Sequence, residues 1–382
     1  MIETEKGAEK AKQALAGIKV LELGTLIAGP FCARMLGEFG ADVIKIETPQ
    51  GGDPLRQWRV LKEGTSLWWS VQARNKQSLS LNLKDERARD IARQLALEAD
   101  IIIENYRPGV LEKWGLGYEQ LRAINPALIM VRLSGYGQDG PMRDLPGFGA
   151  IGEAMGGLRY VSGHPWNGKA GAEAVAGCGQ MVDVALYESV FNLMESLVPE
   201  FDYAGVVRER TGGALPGIVP SNTYTTKEGD NIVIAGNGDA IFKRLMLAIG
   251  RADLANDPQL ARNDGRVART AEIDAAISAW TANLTIDQAL ACLQAADVPV
   301  GKIYSVRDMM QDPQYLARKM FETHQFADGT SIKLPAISPK LSATPGKTHW
   351  LGPAIGAHNE QILQRLGYDA EQIAQLRQDG VI

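Results

Sequence analysis

Three short stretches combine small and polar residues in a way that can hold an anionic ligand. They are Gly24-Thr25-Leu26-Ile27-Ala28-Gly29-Pro30, Asn105-Tyr106-Arg107-Pro108-Gly109 and Ser134-Gly135-Tyr136-Gly137. Glycines let a ligand approach the backbone, and a helix that starts after such a turn offers free N–H groups to negative charge. Four basic residues, Arg56, Lys84, Arg107 and Lys113, stand near the expected ends of elements. Singly, each stretch reads as a turn and each cation as a solvated side chain. They carry chemistry only if the fold brings them together.

The elements around them make that convergence reasonable. An apolar run, Ile18 to Leu23, is followed by the glycine-containing turn, a helical pattern from Phe31 to Phe39 and a second apolar run from Ala41 to Ile46. Strand, turn, helix and strand in so short a span is a βαβ unit, which buries its strands only within a parallel sheet covered by helices. Ser78 to Leu83 alternates like a strand with one polar face, Asp85 to Glu98 reads as a helix capped by Asp85, and Asp100 to Glu104 and Ala127 to Leu133 read as buried strands. The fold class expected is α/β: a large, doubly wound open-sheet domain plus a smaller α+β domain. In such sheets ligands sit at the carboxyl ends of the strands, which is where all three small-residue stretches fall. A Gly/Pro loop from Thr211 to Ser221 reads as a linker, and a smaller unit with strand Asn231 to Ala235 and helices near 240–249, 271–283 and 286–296 follows it.

Composition removes several classes of function. The chain has 382 residues, 45% apolar and 22% charged, with a net charge of -5. A basic excess that would neutralise nucleic-acid phosphates is missing, so no nucleic acid is expected as a partner. Cys32, Cys178 and Cys292 share no CxxC spacing, the four histidines show no HxxxH pattern, and no metal site is expected. No apolar run is long enough to span a membrane, and the first sixteen residues lack a signal-peptide core, so the expected setting is cytoplasmic. The first turn, GTLIAGP, lacks the GxGxxG spacing of dinucleotide enzymes, although Glu47 lies where a ribose-binding acid could sit. An NAD-dependent dehydrogenase is therefore the distant alternative. There is no GxSxG elbow.

Several motifs occur in one order: GIKVLELGTLIAGPFCARMLGEFGADVIKIE, GGDPLR, RNKQSLSLNLK, ENYRPGVLEKWGL, SGYGQDGP, QMVDVALYES and GAHNEQILQRLGY. Together they resemble the class III CoA-transferases, the family of formyl-CoA transferase and the carnitine and bile-acid CoA-transferases. The stretches GNGDAIFKRLMLAIG and GGALPGIVPSNTY resemble members acting on short dicarboxylates such as succinyl or glutaryl groups. The resemblance implies ring-shaped subunits in an interlocked homodimer. It also implies an extension at 1–16, a large CoA-binding domain at 17–210, a linker and small domain at 211–330, and a return segment at 331–382. The implied partners are an acyl-CoA and a small carboxylic acid. CoA is a substrate here and no cofactor is expected to be tightly bound.

The family's CoA contacts carry over to Ile27, Ala28, Thr48, Leu81, Asn82, Leu83, Lys84, Asn105, Tyr106, Arg107, Lys113, Leu145, Pro146, Gly147 and Phe148. Thr25 and Thr48 replace the histidine and arginine of some members. The family's nucleophile is an aspartate that forms an acyl anhydride and then an aspartyl-CoA thioester. Its segment is missing here: the chain passes from Pro165 to Gln180 in unfamiliar, Ala/Gly-rich text, roughly two dozen residues short of the family pattern. Asp183 matches a later motif, and Glu173 is the only carboxylate in the replacement stretch. The catalytic residue is left unassigned, and a non-catalytic CoA-binding or scaffold protein is the alternative function.

Overall fold

The computed structural model describes residues 13–147, 149–161, 179–194 and 196–382. Phe148, Glu173 and the whole stretch where the family aspartate is expected lie outside the described residues.

The described chain forms two compact units, one comprising 13–159, 179–205 and Lys319–Ile382 and the other Tyr160, Val161 and Val206–Arg318. The first is built on six parallel strands. These are β1 (Lys19–Glu22), β2 (Asp42–Glu47), β3 (Lys76–Ser80), β4 (Ile101–Glu104), β5 (Ile129–Ser134) and β6 (Met181–Ala185), in the order β3-β2-β1-β4-β5-β6. The order runs outward in opposite directions from β1 and β4, so the crevice between their carboxyl ends is the topological switch point.

Strand alternation explains why helices cover both faces. Val20, Val43 and Ile103 point to one face and pack with Ala33 of helix α1 (Ala28–Glu38). Their neighbours Leu21, Ile44 and Ile102 point to the other and pack with Ile91 and Leu95 of α2 (Glu86–Glu98). Ile362, Leu363, Ile373 and Leu376 of the two C-terminal helices, Asn359–Arg365 and Ala370–Gln378, join that second core. Each fully buried Leu or Ile contributes about 1.5–3 kcal/mol. Asp85 caps α2 by accepting from the Arg87 N–H, as its sequence position suggests.

One expectation is corrected. The run Ser78 to Leu83 is not one strand. The strand is Lys76–Ser80, both serines are buried, and Leu81–Lys84 form the loop beyond it. The serines face the returning C-terminal segment: the Gly356 N–H donates to the Ser78 hydroxyl (3.0 Å) and the Asn359 amide donates to the Ser80 hydroxyl (2.7 Å), while the Ser78 hydroxyl itself donates to Glu47 on β2 (2.7 Å).

The second unit has an antiparallel sheet of Ser221–Thr225, Asn231–Ala235 and Val300–Lys302, with the middle strand pairing both others. Ile232, Ile234, Phe242, Leu245, Ile273, Ile277 and Leu293 form its core. Among the described residues no helix is long and apolar enough to cross a membrane, and no cluster of ligand-type side chains could hold a metal.

Candidate functional site

Two cavities in the first unit open at the carboxyl ends of its strands and share Tyr106. The larger, about 280 Å³, is lined by Thr25, Thr48, Gly52, Asp53, the run Leu81–Lys84, Tyr106 and Trp114, with Lys45 and Glu47 in its wall. The smaller, about 200 Å³, is lined by Ala28, Asn105 to Pro108, Ser134, Gly135, Arg143, the run Leu145–Gly147 and Leu186.

The positions chosen from sequence therefore converge, with three exceptions. Ile27 is the N-cap residue of α1 and lines neither cavity. Lys113 ends a short helix, Val110–Lys113, and is exposed beside the cavity rather than in it; its neighbour Trp114 forms the wall instead. Phe148 is outside the described residues. Thr48, Leu81, Asn82, Leu83 and Lys84 line the larger cavity, Ala28, Asn105, Arg107, Leu145, Pro146 and Gly147 the smaller, and Tyr106 both.

Asn105, besides lining the smaller cavity, holds two loops together. Its side-chain oxygen accepts from the Thr25 N–H (2.8 Å) and its amide donates to the Thr25 carbonyl (2.9 Å). The side chain bolts the β1 and β4 loops together across the switch point. Tyr106 stands beside it, edge-on to Trp114 with ring centroids 5.4 Å apart. The Leu145–Gly147 segment reaches the end of β5 because Gly135 and Gly147 touch backbone to backbone. A Cβ on Gly135 would lie 2.6 Å from the Gly147 Cα, so no side chain fits there.

Buried charge surrounds the first turn. The Lys45 ammonium contacts Glu22 (2.9 Å), Asp53 (2.9 Å) and the Gly24 carbonyl (2.7 Å). Glu47 takes a two-pronged contact from Arg56, at 2.8 Å for each prong. Burial alone would push the Glu47 and Asp53 carboxyls up. Arg56 for Glu47, and Lys45 with the Leu55 and Leu26 N–H groups for Asp53, outweigh it and hold both below their usual values. Burial likewise disfavours the Lys45 ammonium, yet Glu22, Asp53 and Glu47 raise its pKa overall. Lys76, also bonded to Glu22 (2.6 Å), is pushed down to about 8 by burial and by the charge of Lys45.

A second cluster holds the next loop. Arg132 on β5 donates to Glu104 at the end of β4 and to Glu112 in the short helix, both at 2.6 Å. Burial outweighs Arg132 at Glu104 and raises that carboxyl. In contrast, Lys84 and Arg107 are exposed at the cavities with no carboxylate against them among the described residues. An apolar cavity with an aromatic wall, exposed cations at its mouth and a helix N-terminus nearby suits a ligand with a flat ring and phosphates.

Sequence reasoning missed Lys45, Asp53, Trp114, Arg143 and Leu186, whereas Ser134 and Gly135 belong to the third small-residue stretch it singled out. Only Trp114 carried a usable signal, as the aromatic that follows Lys113 at the end of its helix.

Comparison with known proteins gives the same direction. The chain is 43% identical over 400 aligned positions to the succinyl-CoA–D-citramalate CoA-transferase of Chloroflexus aurantiacus, covering 98% of this chain and 100% of that one. It is 38% identical to the succinyl-CoA–L-malate CoA-transferase beta subunit of the same organism, covering 96% and 98%. Among solved structures, a CAIB/BAIF family protein from Brucella suis superposes with a TM-score of 0.78 at 31% identity, covering 93% and 100%. The model of CoA-transferase family III matches residues 15–175 and 170–359. This chain belongs to CoA-transferase family III, the class III CoA-transferases.

Proposed function

We propose that the two cavities bind coenzyme A as an acyl-CoA, and that the reaction this site is built for is transfer of CoA to a short dicarboxylic acid. The convergence of the family-derived positions on cavities sharing Tyr106 carries the first part. The Tyr106–Trp114 wall takes the adenine ring, while Lys84 and Arg107 meet phosphates. The named relatives, which act on D-citramalate and L-malate, support a dicarboxylate acceptor. In the family's chemistry a carboxylate attacks the acyl-CoA carbonyl and the CoA thiolate leaves. The thiolate then opens the anhydride at the aspartyl carbonyl, releasing the donor acid and leaving an aspartyl-CoA thioester. The acceptor carboxylate attacks that thioester and expels the thiolate, giving a second anhydride. The thiolate opens this one at the acceptor carbonyl, which yields the acceptor's CoA thioester and frees the aspartate.

The same reading holds that this chain does not turn over, because the aspartate of that sequence of steps is missing from it. Two observations support this. The family match falls into two pieces that meet at 170–175, inside the unfamiliar stretch. The citramalate-enzyme alignment needs 400 positions where this chain has 382 residues, so at least 18 positions of the alignment have no residue here. What remains is CoA binding without chemistry.

Calorimetric titration tests the binding half. CoA binds and NAD does not, and Lys84→Ala weakens CoA about tenfold, more so at low salt. Equal binding of NAD, or an unaffected Lys84→Ala variant, argues against this placement. We further propose a homodimer. The exposed apolar residues Phe191, Val198, Phe201 and Tyr203 support an interface, and sedimentation equilibrium giving the 41.4 kDa monomer mass would refute it.

A further inference from the structure

Lys45 is a cation in the wall of the larger cavity, where a ligand phosphate could be expected to meet it. Its bonds point elsewhere. An ammonium has three N–H donors, and Glu22, Asp53 and the Gly24 carbonyl take all three. At 1% exposure it has nothing left to offer a ligand. Asp53 is committed in the same way. Both its oxygens accept from the Leu26 N–H, at 3.0 and 3.2 Å, and one also accepts from the Leu55 N–H at 2.9 Å.

The pair therefore grips the two ends of one short turn, Lys45 holding the Gly24 carbonyl and Asp53 the Leu26 N–H. Leu26 needs holding. Its φ is +64°, a left-handed conformation that a branched side chain disfavours. Asn105 pins Thr25 between the two grips. Thr25 walls the larger cavity, and Ala28, the first residue of α1 just after the turn, walls the smaller. The conformation of Gly24–Leu26 thus sets the shape of both.

We propose that Lys45 and Asp53 are positioning residues: a buried ion pair that clamps the Gly24–Leu26 turn in the left-handed form required for CoA to bind, with neither side chain touching the ligand. This rests on the CoA reading above. The rival role, Lys45 as a direct phosphate contact, gives the opposite sign in one variant. Asp53→Asn removes a negative charge and frees the ammonium, so a direct contact tightens CoA binding, whereas a clamp loosens it.

The experiment titrates CoA into the full-length wild type, Asp53→Asn, Lys45→Met and Ile373→Val, the last a core change in a C-terminal helix away from the turn. Amide hydrogen exchange over 23–31 is followed in parallel. The clamp predicts that Asp53→Asn weakens CoA by about tenfold or more. It also predicts faster exchange confined to 23–31, while Ile373→Val lowers Tm and leaves CoA affinity unchanged. Unchanged or tighter binding by Asp53→Asn overturns it, as does exchange that quickens evenly along the chain. If Lys45→Met does not fold, the near-isosteric Asp53→Asn decides alone. If the wild type binds no CoA, the CoA reading falls, and the clamp stands or falls on the exchange pattern.

Discussion

The acid sensitivity of the chain follows from individual carboxyls. Glu47 and Asp53 titrate near 4.5 and 3.8 when unfolded and lower when folded. Their contribution to stability is complete above those unfolded values and is lost as pH falls through the folded ones. Glu104 has the opposite sign: its folded pKa is raised, so its contribution falls as pH rises from 4.5 through the folded value. Urea unfolding between pH 2 and 6 therefore shows a loss of stability with acid that Glu47→Gln makes shallower. An unchanged slope in that variant contradicts the assignment. The same residues show why the site was only partly legible. Asp53 sits in a Gly/Pro-rich loop, and Asn105 follows a strand like any polar turn residue. What they do depends on partners 27 and 80 residues away, which no local pattern encodes.

Elements were more legible than their partners. The run Asp100 to Glu104 reads as a strand because three consecutive isoleucines suit burial on both faces, and Ile102 and Ile103 do pack into opposite cores. The Gly115–Gly117 stretch, rich in a residue that breaks helices, separates two short helices, Val110–Lys113 and Tyr118–Arg122. The strand Phe321–Gln325 went unread. Its sequence, FETHQ, has almost no apolar signal, and it is held by backbone pairing with Ser331–Pro335. The polar face of Ser78 and Ser80 gives no sign of its cover, which arrives from about 280 residues further along the chain. At the β4–β5 edge, Arg132 is 4% exposed and joins two strand ends to the helix beside Trp114. Removing one partner of such a buried pair strands the other, so Arg132→Met lowers unfolding free energy by about 3–5 kcal/mol in urea melts. A loss below about 1 kcal/mol shows instead that water already screens the cluster.

For the molecule as a whole, the doubly wound sheet and the family were readable because motifs from the first strand to the C-terminal helices recur in one order. The cavities form where that topology requires, at the reversal of strand order between β1 and β4. The chemistry does not follow automatically from the fold, since function lives in particular side chains. The stretch between Pro165 and Gln180 contains no aspartate, and we propose that the frame around it binds CoA without the family's chemistry. Intact-protein mass spectrometry after incubation with succinyl-CoA separates frame from chemistry. We predict an unchanged protein mass, with no acyl or CoA adduct before or after hydroxylamine; a hydroxylamine-sensitive gain of a succinyl or CoA mass would show that another carboxylate has taken over the nucleophile's role.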